Sequence, residues 1–401
     1  MSRSPRRARP IVAGAVVAAV ALAACGGDNT SVAPPISAQA PTTTVSASTT
    51  SAGEATTSTT DPGISSTGIS KERCDKNKAA GSITYLTSFD FAAAASILDV
   101  VVAKDHGYFD DMCLNVTLKP GFSTSNYALV AAGQAQLSSA GAFTEILNFS
   151  TGGAKFVAVA DYGKTPVEAL LVRDDGKIRT LQDLKGKTIG VKGDIPPSIV
   201  AMLAQAGLKR GVDFKEVLLD GFDPVAHLKT SIDALPVYKS NEPGQLDRAG
   251  VAYKLFDPID YSIPGSFGII YTTPDFLAEH PTAVQDFVRA AFKGYADAVA
   301  DPPSAVAISL KEINAAGNQN YLTQDGETYR WQQESAIVAK GTPPGSPPGL
   351  IDPGVFAAEV AAYTKAGVFQ TGAPSTDGTY NADMANGVVS GTSLIWPATG
   401  G

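Results

Sequence analysis

Residues suited to breaking bonds are scarce in this 401-residue chain, which has three histidines and three cysteines. His106, His227 and His280 lie far apart, and none falls in an H-E-x-x-H or comparable ligand spacing. No G-x-S-x-G elbow, phosphate-binding loop or G-x-G-x-x-G turn is present. The sequence therefore predicts neither catalytic machinery nor a bound metal or cofactor. What remains are short clusters of hydroxyl, aromatic and carboxyl side chains, a chemistry that holds a small molecule without transforming it. A formal net charge of −8 argues against nucleic acid as a partner, because that affinity rests on Lys and Arg neutralising phosphates.

The elements that must position these clusters alternate in type. Strand-like apolar or β-branched runs occur at residues 83–86, 114–118, 136–139, 156–160, 169–173, 188–191, 214–219 and 268–271. Helical patterns lie between them at 94–104, 127–132, 144–148, 199–206 and 225–230. Such alternation predicts an α/β architecture with mostly parallel sheets. Beyond residue 272 the pattern turns helical, at 282–300, 304–314, 327–340 and 355–365, broken by Pro281, Pro302-Pro303 and the Pro/Gly-rich stretch 341–349.

The amino-terminal region has a different character. Residues 1–24 combine Arg3, Arg6, Arg7 and Arg9 with an apolar run of 14 residues from Ile11 to Ala24. That run falls short of the ~20 residues needed to span a bilayer and reads as a secretory signal. Leu22-Ala23-Ala24-Cys25 resembles the lipobox of bacterial lipoproteins, which implies cleavage before Cys25 and its acylation. Removing the signal takes away its four arginines and leaves about −12. From Gly26 to Ser70, 20 of 45 residues are Ser or Thr, too polar to offset their ordering entropy. A tether is predicted over residues 25–78, and a flexible coil of 45 residues reaches roughly 35–40 Å. With Cys25 committed to lipid, Cys74 and Cys113 form an even pair in an oxidising compartment. A bridge between them would close a loop worth roughly 4 kcal/mol in the chain-entropy model; two separate buried thiols are the alternative.

A family resemblance is carried by particular residues. Lys104-Asp105-His106-Gly107-Tyr108-Phe109 resembles the K-x-x-G-Y-F segment of ABC-transporter solute-binding proteins for sulfonates, nitrate, taurine and thiamine-pyrimidine precursors. The run from Leu181 to Val191 resembles their L-x-D-L-K-G-K-x-I-G-V segment, and Asn241-Glu242-Pro243 their E-P element. Thr273 to Leu277, His280-Pro281 and Val284 to Ala290 resemble the return helix. Within that group, Gly141–Leu147 and Ile263–Gly268 resemble the thiamine-precursor branch.

The resemblance implies a two-lobed, type II periplasmic-binding-protein-like fold with a mostly parallel sheet in each lobe and a helical C-terminal region. Lobe one would comprise residues 79–170 and 272–401, and lobe two residues 171–271. The ligand would sit in the cleft between them, at strand carboxyl ends where helix N-termini offer free N–H groups. Loops expected to line it are Ser88-Phe89-Asp90-Phe91, Ser123-Thr124-Ser125-Asn126 and Ser139-Ala140-Gly141-Ala142 with Glu145. Phe89 or Phe91 would stack on a flat solute, and Asp90 would accept from an amine or cap a helix. Glu145 would accept from the ligand or complement a helix dipole. From lobe two come Lys192, Asp194 and Ser198, then Phe222 and Asp223, then Tyr238, Asn241 and Glu242.

The function this implies is an exported lipoprotein, anchored at the outer face of the cell membrane and acting as a monomer. It would capture a thiamine-pyrimidine-like heterocycle, a sulfonate or an aromatic carboxylate for an ABC permease and its ATPase. The alternative is a cell-surface sensor or scaffold with the same fold. An enzyme like the fungal thiamine-pyrimidine synthases would need a Cys-rich iron-binding motif that three cysteines cannot supply.

Overall fold

The computed structural model describes residues 68–150, 153–369 and 371–398. The predicted signal, Cys25 and most of the predicted tether lie outside the described residues. Helix α1 (Lys71–Lys78) leads into β1 (Ser82–Leu86), α2 (Leu98–Asp105), α3 (Tyr108–Asp111) and β2 (Asn115–Lys119). Then come α4 (Ser123–Ala131), β3 (Leu137–Ala140), α5 (Phe143–Ser150) and β4 (Val157–Gly163). The chain crosses into β5 (Glu168–Arg173), β6 (Thr188–Val191), α6 (Pro197–Gln205) and β7 (Lys215–Leu218). It continues through α7 (Pro224–Leu228), β8 (Ala234–Tyr238), α8 (Glu242–Arg248) and β9 (Tyr253–Phe256), and returns in β10 (Phe267–Thr272). The remainder is α9 (Pro274–Glu279), α10 (Pro281–Ala300), α11 (Pro302–Ala315), α12 (Gln324–Gly341), α13 (Pro353–Lys365) and α14 (Ala382–Asn386), with a short hairpin of β11 (Val389–Ser390) and β12 (Ser393–Leu394).

Two five-stranded sheets result, ordered β2-β1-β3-β10-β4 and β7-β6-β8-β5-β9. In the first, β1 is parallel to β2 and β3, whereas β10 is antiparallel to both β3 and β4. In the second, β6 is parallel to β7 and β8, whereas β5 is antiparallel to β8 and β9. Each sheet therefore has four strands running one way and one running against them. The reversed strand is in each case the one arriving from the other sheet. The two crossovers lie against each other: a Cβ on Gly163 would fall 1.9 Å from the Phe267 ring, and one on Gly265 2.6 Å from Pro166. Glycine is required at both positions because the opposing side chain occupies that space.

Besides the short β11–β12 hairpin, two sheet strands are absent from the predicted runs. β8 carries Pro236, which counts against a strand, and β9 is a four-residue edge strand with Lys254 exposed. The carboxy-terminal helices clothe the sheets as the pattern predicts, and α13 does more. Its Phe356 and Val360 pack in the apolar core with Phe143 and Tyr271, while its Tyr363 packs in the second sheet's core with Ile199 and Met202.

Residues 69–78, predicted as the end of the tether, are folded onto the body. Ile69 is fully buried, Ser70 caps α1 by accepting from the Arg73 amide at 3.1 Å, and the helix runs to Lys78. Ion pairs Lys71–Asp75 and Glu72–Lys76 support it locally. Tertiary contacts hold it more firmly. Arg73 grips the fully buried Asp286 of α10 through Nε at 2.7 Å and Nη2 at 2.9 Å, and Asn77 Nδ2 donates to the same carboxylate at 2.7 Å. Arg289 Nε donates to Asp286 at 3.0 Å. Cys74 is disulfide-bonded to Cys113, with Cα atoms 5.3 Å apart. The partners that bury Arg73 lie more than 200 residues away, so nothing local in residues 71–78 announces this anchoring.

Three buried carboxyls are pushed up by removal from water, and of these Asp161 alone has a cation beside it. Burial raises Asp99 to about 7 despite a 2.6 Å bond from the Tyr162 hydroxyl. Burial raises Asp161 to about 6 despite Lys164 at 2.8 Å. Burial raises Glu359 of α13 to about 7 although the Ser266 hydroxyl (2.6 Å) and the Thr144 amide (3.0 Å) donate to it.

Two outcomes follow. Arg73→Ala leaves Asp286 with part of its charge uncompensated and should cost about 3 kcal/mol in urea unfolding. A carboxyl with a raised folded pKa contributes stability that is present below its unfolded pKa and lost as pH rises through the folded value. The melting temperature should therefore fall between pH 5 and pH 8, through the 6–7 range of these groups. Calorimetry on Glu359→Gln should show a shallower fall.

Candidate functional site

The reversed strands bring one edge of each sheet to a common cavity of about 300 Å³. The first sheet contributes the residues after its parallel strands: Ser88 and Phe89 beyond β1, Phe122, Ser123 and Thr124 beyond β2, Gly141 and Glu145 beyond β3. The second contributes Lys192 beyond β6, Phe222 beyond β7, and Tyr238, Ser240, Asn241 and Glu242 at the end of β8 and after it. The reversed strands present their opposite ends here, Val167 before β5 and Phe267 and Gly268 at the start of β10. A third contribution comes from α12, as Arg330 and Glu334.

Aromatic rings line both sides. Phe89 meets Phe122 edge to face at 6.2 Å, and the Arg330 guanidinium lies 5.7 Å from the Phe89 ring centre. Phe122, Phe222 and Tyr238 are 49%, 54% and 45% exposed, large ring surfaces open at the cavity.

The charged groups are tied among themselves. Glu145 Oε2 accepts from the Ser123 hydroxyl and from the Gly141 amide at 3.2 Å; removal from water raises its pKa, and these bonds only partly offset that. Lys192 is paired with Glu242, whose second oxygen accepts from the Tyr238 amide at 2.9 Å. Arg330 bonds Glu327 at 3.2 Å and the Asn241 side-chain oxygen at 3.1 Å. Glu334 accepts from the Ala95 amide at 2.8 Å and the Ser240 hydroxyl at 2.9 Å, and burial raises its pKa. Desolvation, and after it Glu168, Glu145, Glu242 and Glu334, holds the Tyr238 phenol protonated far above its usual range.

Of the residues singled out in the sequence, the cavity gathers Ser88, Phe89, Ser123, Thr124, Ala140, Gly141, Glu145, Lys192, Phe222, Tyr238, Asn241 and Glu242. The others are placed elsewhere, each held by a structural requirement. Asp90 adopts a left-handed conformation (φ 48°), accepts from the Phe91 amide at 2.8 Å and bonds Asn320 at 3.2 Å. Phe91 turns into a core with Ile97, Val101 and Ile313. The Ser125 hydroxyl donates back to the Phe122 carbonyl at 2.9 Å. Asn126 is buried, donating to the Thr87 carbonyl at 2.9 Å and the Ser138 hydroxyl at 3.1 Å, so it fixes the loops instead of meeting a solute. Ser139 is fully buried within β3. Asp194 pairs with Arg210 on the surface, Ser198 donates to Glu168 at 3.0 Å, and Asp223 caps α7 by accepting from the Val225 amide at 2.8 Å. His106, His227 and His280 do not line the cavity.

Arg330 and Glu334 escaped the sequence reading, which took residues 327–340 only as a packing helix. A signal was present: Glu327, Arg330 and Glu334 fall on the same face as Trp331, which is buried and donates to the Ala298 carbonyl at 2.9 Å. Three charges on the inward face of a helix need partners.

Among the described residues no helix is long and apolar enough to cross a membrane, and no cluster of His, Cys, Asp and Glu is suited to a metal ion. The chain is similar to the riboflavin-binding protein RibY of Chloroflexus aurantiacus, with 31% identity over 183 residues, 43% of this chain and 50% of that protein. It is similar also to the formylaminopyrimidine-binding protein of Halalkalibacterium halodurans, with 28% identity over 224 residues, 54% of this chain and 66% of that protein. The matched segments thus span half to about two thirds of these relatives. The fold is that of the periplasmic aliphatic sulphonate binding protein SsuA of Escherichia coli (TM-score 0.54, 15% identity, 70% of this chain and 85% of that one). A family model described as NMT1/THI5 like matches residues 94–305, more than half of the chain. The chain belongs to the NMT1/THI5-like family.

Proposed function

We propose that this protein is the extracytoplasmic solute-binding component of an ABC importer, capturing a small planar organic solute between its two lobes and delivering it to a permease and its ATPase. The observation that carries this reading is the cavity at the carboxyl ends of two sheets joined by two adjacent crossovers. That is where α/β sheets hold ligands, and paired crossovers allow the lobes to move about a common hinge. Relatives named for binding riboflavin and a formylaminopyrimidine support it, both being flat heterocycles. The exposed surfaces of Phe122, Phe222 and Tyr238 suit such a ring.

Binding is favoured over catalysis by the lining itself. Of its hydroxyls, those of Ser123 and Ser240 are bonded to carboxylates, and no histidine lines the cavity to act as a base beside any of them. The disulfide between Cys74 and Cys113 fits an oxidising compartment. A lipid on Cys25 would hold the protein, as a monomer, at the outer membrane face.

Thermal melts of the full chain against aromatic heterocycles test the central reading. A ligand present at 100 Kd should add about 2.7 kcal/mol, and absence of stabilisation by any solute overturns it. Phe222→Ala should weaken binding about tenfold or more, a stacking loss of 1–3 kcal/mol, with the unliganded melting temperature nearly unchanged because the ring is 54% exposed. Cys25→Ser should move the protein from the membrane fraction to the soluble one on cell fractionation.

A further inference from the structure

The peptide N–H groups ringing the cavity are the donors an anionic solute would seek, since strand-to-helix turns bind anions through such groups. Here the chain's own glutamates occupy them. Beyond β1, Glu327 accepts from the Ala93 amide at 2.6 Å and Glu334 from the Ala95 amide at 2.8 Å. Beyond β3, Glu145 accepts from the Gly141 amide at 3.2 Å. At the end of β8, Glu242 accepts from the Tyr238 amide at 2.9 Å. The two cations at the cavity are likewise engaged, Lys192 by Glu242 and Arg330 by Glu327 and Asn241. Three carboxylates lining the cavity, Glu145, Glu242 and Glu334, thus face two cations, and Glu327 stands behind Arg330 outside the lining. Both bonds to Glu145 go to Oε2, which leaves Oε1 to meet a solute.

We propose that these glutamates, two of them delivered by α12, are built-in anions that fix the charge class of the solute: the cleft takes a planar ring, uncharged or cationic, whose N–H donors face Glu145, and it refuses sulfonates, carboxylates and other anions. This rests on the solute-binding reading and adds to it the residues that decide specificity. The fold is shared with a sulphonate-binding protein, so the fold leaves the charge class open. An anion entering here finds the Ala95, Gly141 and Tyr238 amides and both cations already engaged by carboxylates, and carboxylates in excess of cations, whereas an amino or amidinium group finds an acceptor between aromatic walls that also favour cations. Burial has already made the charged forms of Glu145 and Glu334 costly, and a donor-bearing solute relieves that cost.

The test is calorimetric titration of the full chain with benzamidine, benzamide, benzoate and benzenesulfonate, rings of one size and different charge, alongside riboflavin. Benzamidine or benzamide should bind at least tenfold more tightly than either anion. Glu145→Gln should erase most of the preference for benzamidine. Glu334→Gln, which keeps an acceptor for the Ala95 amide and removes the charge, should raise benzenesulfonate affinity several-fold. Should benzoate or benzenesulfonate bind the native chain as tightly as benzamidine, or Glu145→Gln leave the ratio unchanged, the charge-class inference is overturned while the solute-binding reading stands. Silence from all five probes overturns the solute-binding reading and this inference with it.

Discussion

In each sheet a single strand runs against the other four, and the arrangement of the cavity depends on it. A strand arriving from the opposite sheet enters beside the carboxyl ends of its new neighbours, so β5 and β10 must be antiparallel to them. Both sheets are thereby held with their ligand-binding edges toward one cleft. The close fit of Gly163 under Phe267 and of Gly265 on Pro166 keeps the two crossovers side by side. Any side chain at either glycine would push the strands apart and separate the halves of the cavity.

The carboxy-terminal helices turn this frame into a specific site. α13 reaches from one apolar core to the other, and its Glu359 ties the start of α5 to the second crossover through Thr144 and Ser266. α12 brings Arg330 and Glu334 to the cleft, with Glu327 paired to Arg330 behind them, on a face anchored by Trp331. These buried carboxylates are not there for stability, since charge buried without a full counter-ion is costly. Their value lies in the field they set and in the backbone donors they fill.

The architecture was largely legible in the sequence. Runs of apolar or β-branched residues, such as 156–160 and 188–191, announced sheets covered on both faces, and their alternation with helices announced an α/β fold. About half of the candidate site was legible as well, because strand-to-helix turns rich in Ser, Gly and Phe stand out locally. The misses share a cause. Asp90, Asn126 and Ser198 looked as free as Ser123 and Thr124, and only distant partners, Asn320, Thr87 and Glu168, commit them to structural bonds.

The sequence by itself determined what depends on neighbours along the chain: the fold class, the family resemblance, the paired cysteines and the aromatic and hydroxyl content of the loops. Tertiary structure decided the charge of the site. Whether Glu145, Lys192, Arg330 and Glu334 offer themselves to a solute or to one another depends on contacts between residues up to 239 positions apart. Periodicity reports which face of an element is buried, but carries no information on which distant charge meets it there.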